Sequence, residues 1–196
     1  MNQSLSTPKQ TVRILIACVG NIFMGDDGFG IEVAQRLMRR DLTLFPQGVQ
    51  VVDFGIRGFD LAYTLLDEYD VLILVDAIAR GGTPGTLYLI EPDLTGMTPE
   101  KGGEAARVGL DAHSMDPAKV LAYARTLGAQ PIRTLLVGCE PAVICENETY
   151  MDIQMGLSKP VEVAVAEAVK MIDYLVAQLL KGEPQSTWSD HVCSGE

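Results

Sequence analysis

An apolar run that ends on two adjacent carboxylates limits what this chain can fold into. Residues 12–30 read VRILIACVGNIFMGDDGFG. Val12, Ile14, Leu15, Ile16, Ala17, Cys18 and Val19 form a nearly continuous apolar stretch with β-branched members, the pattern of a strand covered on both faces in a parallel sheet. Gly20 and Asn21 break it. After Gly28 and Gly30, the residues Ile31, Ala34, Leu37 and Met38 recur at helical spacing, and Arg39 and Arg40 complement the C-terminal end of the helix dipole. A strand, a loop and a helix in this order build an open α/β sheet, in which the loops beyond the carboxyl ends of the strands form the binding crevice. Asp26 and Asp27 occupy such a loop.

A dinucleotide cradle is the rival reading of the same stretch. It needs G-x-G-x-x-G, with backbone N–H groups facing a pyrophosphate. Here Gly28-Phe29-Gly30 is followed by Val33 where the third glycine belongs. Asp53 could imitate the ribose-binding acid, but two carboxylates beside the phosphates would repel them.

Further along, VQVVDF (residues 49–54) predicts a second strand, followed by the loop GIRG around Arg57, and Phe59, Ala62, Leu65 and Leu66 give a helical face. VLILV (residues 71–75) is the most hydrophobic strand and should be central, ending at Asp76. TLYLIE (residues 86–91) follows the turn RGGTPG so closely that it should pair antiparallel with a neighbour, because a parallel return needs a longer crossover. Residues 92–112 read as a long polar loop that delivers His113. Asp116-Pro117 opens a helix, an acid at the cap followed by proline at the first position. PIRTLLV (131–137) is the last strand, and residues 139–159 form a second long loop, acidic and methionine-bearing, which suits a protein-contact surface more than a mere flap. Val161, Val165, Ala168, Ile172, Leu175 and Leu179 make one apolar stripe over about five turns of a closing helix. The expected organisation is a flexible tail over residues 1–11, one α/β domain over 12–180, and a polar tail over 181–196.

Composition narrows the function. A formal charge of -11 argues against nucleic acid and anionic membranes, whose binders rest on basic surface. The N-terminal MNQSLSTPKQT has no apolar signal core, and no segment approaches the ~20 apolar residues of a membrane span. The expected place is the cytoplasm. Cys18, Cys139, Cys145 and Cys193 form no C-x-x-C pair and read as isolated thiols without chemistry. His191 and Cys193 in DHVC could take a metal, but a loose tail makes a poorly organised site. No G-x-S-x-G elbow is present, so covalent catalysis has no visible nucleophile.

Three side chains converge on the crevice by position: Asp27 after the first strand, Asp76 after the central one, and His113 at the lip of a long loop. Two carboxylates and an imidazole suit Zn²⁺ or Ni²⁺, offset the charge of a divalent ion and leave a coordination position open. Each also has a plainer reading. Asp27 could cap the following helix, Asp76 could be a turn acid, and His113 could be a solvated loop histidine.

These blocks resemble the endopeptidases that mature the large subunit of nickel–iron hydrogenases. VRILIACVGNIFMGDDGFGIEVAQRL is similar to that family's G-x-G-N-x-x-x-x-D-(D or E)-G-x-G opening, with Cys18 in place of the first glycine. VLILVDAI with GGTPGTLYLI, HSMDPAKVLAYA, LLVGCEP and GLSKPVEVAVAEAV resemble its later blocks in order. The resemblance implies a three-layer α/β sandwich with a twisted, mostly parallel mixed sheet of about five strands and helices on both faces. It implies a metal-dependent endopeptidase that removes the C-terminal extension of the hydrogenase large-subunit precursor once nickel is inserted. Asp27, Asp76 and His113 would be both catalytic and metal-binding, with nickel carried by the substrate and zinc or cadmium as surrogates. Apart from the resemblance, Arg57 is an isolated base among acidic loops whose flanking glycines permit backbone approach, and it is a candidate for holding the substrate peptide, with a solvated surface arginine as the plainer reading. Asn21 is a second candidate substrate contact, and a monomer is expected. A nickel-binding accessory protein that never cuts is the alternative.

Overall fold

The computed structural model describes residues 11–40, 45–93, 117–142 and 154–182. His113, Asp116, Cys145, His191, Cys193, residues 1–10 and 183–196 of the two tails, and residues 143–153 of the 139–159 loop lie outside the described residues. The elements run β1 (Ile14–Val19), α1 (Phe29–Met38), β2 (Val49–Gly55), α2 (Gly58–Thr64), β3 (Val71–Ala77), β4 (Leu87–Ile90), α3 (Pro117–Thr126), β5 (Arg133–Cys139) and α4 (Lys159–Lys181).

They form a five-stranded sheet of order β2-β1-β3-β5-β4. β1, β2, β3 and β5 are parallel, and β4 joins β5 antiparallel. The apolar run at β3 is accordingly central, and the short return to β4 forces the antiparallel edge, as the sequence predicts. β1 shows why both faces must be apolar. Ile14, Ile16 and Cys18 pack into one core with α1 and α4, while Leu15, Ala17 and Val19 pack into a second core with α2 and α3. Alternate side chains of one strand therefore serve opposite layers. Each fully buried leucine or isoleucine contributes about 1.5–3 kcal/mol relative to exposure.

α4 is a 23-residue helix, long enough in extent to raise the question of a membrane span. Its buried stripe of Val161, Val165, Ala168, Ile172 and Leu175 faces the sheet, and exposed Glu162, Lys170 and Asp173 take the other side. Among the described residues no helix is long and apolar enough to cross a membrane. Arg40, just past α1, forks onto Asp173 of α4 with N···O distances of 2.7 and 2.9 Å.

Candidate active site

The strand order reverses between β1 and β3, which places the topological switch point where these two parallel neighbours end. Their register pairs Cys18 with Val75, so Val19, the last residue of β1, lies level with Asp76, and Gly20 leaves β1 one step beyond. Two glycines let the chain stay close to that edge. Gly20 has φ +136°, and a Cβ there would stand 2.0 Å from the Asp27 carbonyl oxygen. Gly30, in the first turn of α1, lies on the Val19 and Val75 carbonyls. The loop thus folds back on itself over the ends of β1 and β3.

Within that loop a 3-10 turn spans Asp26–Gly28. The two adjacent acids diverge there. Asp26 is fully buried. Its Oδ1 accepts the Ser158 N–H at 2.6 Å, and its Oδ2 accepts the Ala142 N–H at 2.8 Å and the Ser158 hydroxyl at 2.9 Å. Asp27 is half-buried. Burial raises its carboxyl above the usual aspartate range, and the Asn21 N–H acts in the opposite sense. The capping reading of Asp27 does not hold: Gly28 occupies the N-cap of α1 and no side chain caps it.

Asp76 is half-buried as the next-to-last residue of β3, opposite Gly138 of β5, and its Oδ1 accepts the Ala77 N–H at 2.8 Å. The turn beyond it is held by Glu140. This carboxylate, 4% exposed, accepts the Arg80 N–H at 2.9 and 3.1 Å, the Gly81 N–H at 3.0 Å and the Tyr88 hydroxyl at 2.8 Å. Burial alone would raise Glu140, but the Tyr88 hydroxyl and the N–H groups of Arg80, Gly82 and Gly81 together hold it below the usual glutamate range.

Arg57 and Asn21 belong to neighbouring loops. The Gly20 N–H donates to the Gly55 carbonyl at 3.1 Å and joins the two. Arg57 folds its guanidinium back on the end of β2, donating to the Phe54 carbonyl at 3.0 Å and to the Asp53 carbonyl, with Asp60 at 3.7 Å. More than half of the Arg57 side chain stays exposed. Asn21 accepts the Phe23 N–H on its Oδ1 at 3.0 Å and so shapes the loop that carries Asp27.

Asp27 and Asp76 thus share one rim of the sheet. Among the described residues no three His, Cys, Asp or Glu side chains gather as a metal centre, and His113 lies outside them. A surface cavity of about 470 Å³ bounded by Glu91, Arg125 and Arg133 lies at the start of β5, the opposite end of the sheet, and so has no part in this site. Cys18 and Cys139 are buried free thiols. Burial, then the Asp53 charge, pushes Cys18 up, and burial, then Asp26, pushes Cys139 up to about 12, so neither offers a thiolate.

A family model described as hydrogenase maturation protease (HycI) matches residues 31–174. The chain belongs to this family. It is 31% identical over 171 residues to the hydrogenase expression/formation protein HupD of Rhodobacter capsulatus, covering 87% of this chain and 76% of that one. It is 28% identical to the hydrogenase 2 maturation protease of Escherichia coli over 163 residues, 82% of this chain and 88% of that one. The solved structure of the hydrogenase maturating endopeptidase HybD from E. coli superposes with a TM-score of 0.62 at 26% identity, covering 87% of this chain and 94% of that one. A hydrogenase 2 maturation peptidase from a Thaumarchaeota archaeon gives 0.57 at 30% identity, covering 84% and 97%.

As a member of the hydrogenase maturation protease family the chain is a hydrolase built to cut protein. Sequence reading found the two acids at the rim and missed the buried pair that supports them. Asp26 and Glu140 gain their roles from partners up to 132 and 60 residues away, so no local pattern announces them. The nearest signal was the serine at residue 158, placed to cap α4 yet making no side-chain cap.

Proposed function

We propose that this protease removes the C-terminal extension of the hydrogenase large-subunit precursor and reads, through Asp27, Asp76 and His113, the nickel that the precursor already carries. The observation that supports it most is the placement of Asp27 in the loop after β1 and of Asp76 near the end of its parallel neighbour β3, with Asp27 raised by burial. A half-buried carboxylate poorly served by water gains most from a cation brought to it. Two oxygen donors and one imidazole leave positions for ligands that the substrate supplies. When bound, the substrate's nickel would polarise the scissile carbonyl and orient the tail. Asp27 and Asp76 would hold the charge in place, and a carboxylate of the site could serve as the base for the attacking water. Asn21 shapes the loop under the tail, and the exposed guanidinium of Arg57 binds the extension.

The test is cleavage of nickel-loaded and nickel-free precursor. Loaded precursor should be processed, and free nickel added to the protease should not rescue the metal-free form. Alanine at Asp27, Asp76 or His113 should abolish cutting while the far-UV circular dichroism stays native. Efficient processing of nickel-free precursor by chelator-treated protease would overturn the reading.

A further inference from the structure

Ser158 breaks a local rule. It is the N-cap residue of α4, where a serine side chain ordinarily accepts an N–H from the first turn of its helix. No such bond forms. The hydroxyl donates instead to Asp26 Oδ2 at 2.9 Å, and the Ser158 N–H donates to Asp26 Oδ1 at 2.6 Å. Such departures from local preference concentrate at functional sites.

The carboxylate that takes these bonds is fully buried. A buried anion needs donors on both oxygens, and the third comes from the Ala142 N–H, just beyond β5. One side chain therefore ties the loop after β1 to the exit of β5 and the entry of α4. A short parallel bridge between Met24 and Gln154 reinforces the tie, with the Gly25 N–H on the Gln154 carbonyl at 2.8 Å and the Gln154 N–H on the Phe23 carbonyl at 3.1 Å. Asp26 and Asp27 are consecutive residues of one 3-10 turn, so fixing the first fixes the direction of the second.

We infer that Asp26 is a positioning residue for Asp27, acting through the Ser158 clamp rather than by touching the substrate. This rests on the reading of Asp27 given under Proposed function. The clamp offsets a stiff loop against a sacrificed helix cap, an exchange that favours the site over the helix.

Full-length Ser158→Ala, Ser158→Thr, Asp26→Asn and Asp27→Asn should be compared on nickel-loaded precursor, with Ile172→Val as a core variant far from the loop. Ser158→Ala loses no cap but removes a hydrogen bond to a buried carboxylate, so its Tm should fall. Its kcat per folded molecule, measured well below that Tm, should fall severalfold at unchanged KM, and Ser158→Thr, which keeps the hydroxyl, should restore both. Asp26→Asn puts an amide against donors and should lower kcat by about 100-fold, the scale of an ångström-sized misplacement. Ile172→Val should lower Tm and leave kcat alone. If Asp26→Asn does not fold, the Ser158 pair alone decides. Loss of kcat in Asp27→Asn with full kcat per folded molecule in Ser158→Ala overturns this inference only. Full kcat in Asp27→Asn overturns the site reading and this inference with it.

Discussion

Gly30 lies directly on the Val75 carbonyl: a Cβ at residue 30 would stand 2.5 Å from that oxygen, and 2.2 Å from the oxygen of Val19. Helix α1 can begin over the ends of β1 and β3 only because residue 30 has no side chain. Gly30→Ala would gain helix propensity, at most about 1 kcal/mol. The clash with two backbone atoms that cannot rotate away outweighs it. We expect a net loss of about 1–3 kcal/mol in urea unfolding, together with impaired cleavage because the Asp27 turn is carried on the same helix start.

Asp27 should cost the protein stability. Its carboxyl is raised in the folded state by burial, so the native protein holds that proton to higher pH than the unfolded chain does. The penalty is absent below the unfolded value near 3.8, grows as pH rises through the window up to the folded value, and is constant above it. Asp27→Asn, measured with a chelator present, should therefore melt higher than wild type at pH 7 while losing activity. The difference in Tm should narrow as the pH falls toward 3.8. A lower Tm at pH 7 would contradict the burial argument.

Glu140 should show the opposite sign. Its folded value is held below the ordinary 4.5, so its contribution is complete above that value and is lost as pH falls through the folded one. Urea midpoints of Glu140→Gln should lie below wild type at neutral pH, and the gap should close on acidification below 4.5. Because this carboxylate holds the Arg80 and Gly81 amides just beyond Asp76, activity should fall as well.

Arg57 separates a binding role from a purely structural one. Its bonds to the Phe54 and Asp53 carbonyls are made at an exposed side chain, where removal should change stability by less than about 1 kcal/mol. If the guanidinium also holds the precursor tail, Arg57→Ala should raise KM by roughly tenfold and leave kcat unchanged. An unchanged KM in steady-state cleavage would confine Arg57 to the end of β2.

Much of the fold was legible in the chain. The period of two in the strands, the helical spacing of Ile31, Ala34 and Leu37, and the unbroken apolar run of β3 are local patterns, and burial in one layer or two writes them directly. The short link from β3 to β4 likewise forced an antiparallel edge by chain length alone. Boundaries moved by a few residues: β3 runs on to Ala77 and β5 to Cys139, because ladder pairing continues past the last purely apolar position.

The sequence by itself determined that two acids would stand at the mouth of a parallel sheet, because a strand that ends in glycine must release its next residues at the sheet edge. Only the tertiary structure decided what each does. Asp26 and Asp27 are chemically identical neighbours, yet one is sealed under Ala142 and Ser158 while the other is half-open to the crevice. The donors that make a buried carboxylate tolerable come from the far ends of β5 and α4, brought within reach only once the sheet has closed. Glu140 follows the same logic on the other side of the site, where the Arg80 and Gly81 amides and the Tyr88 hydroxyl gather around it. Local pattern sets where a polar residue emerges, and the long-range supply of hydrogen bonds sets whether it becomes a tie or stays open to the crevice.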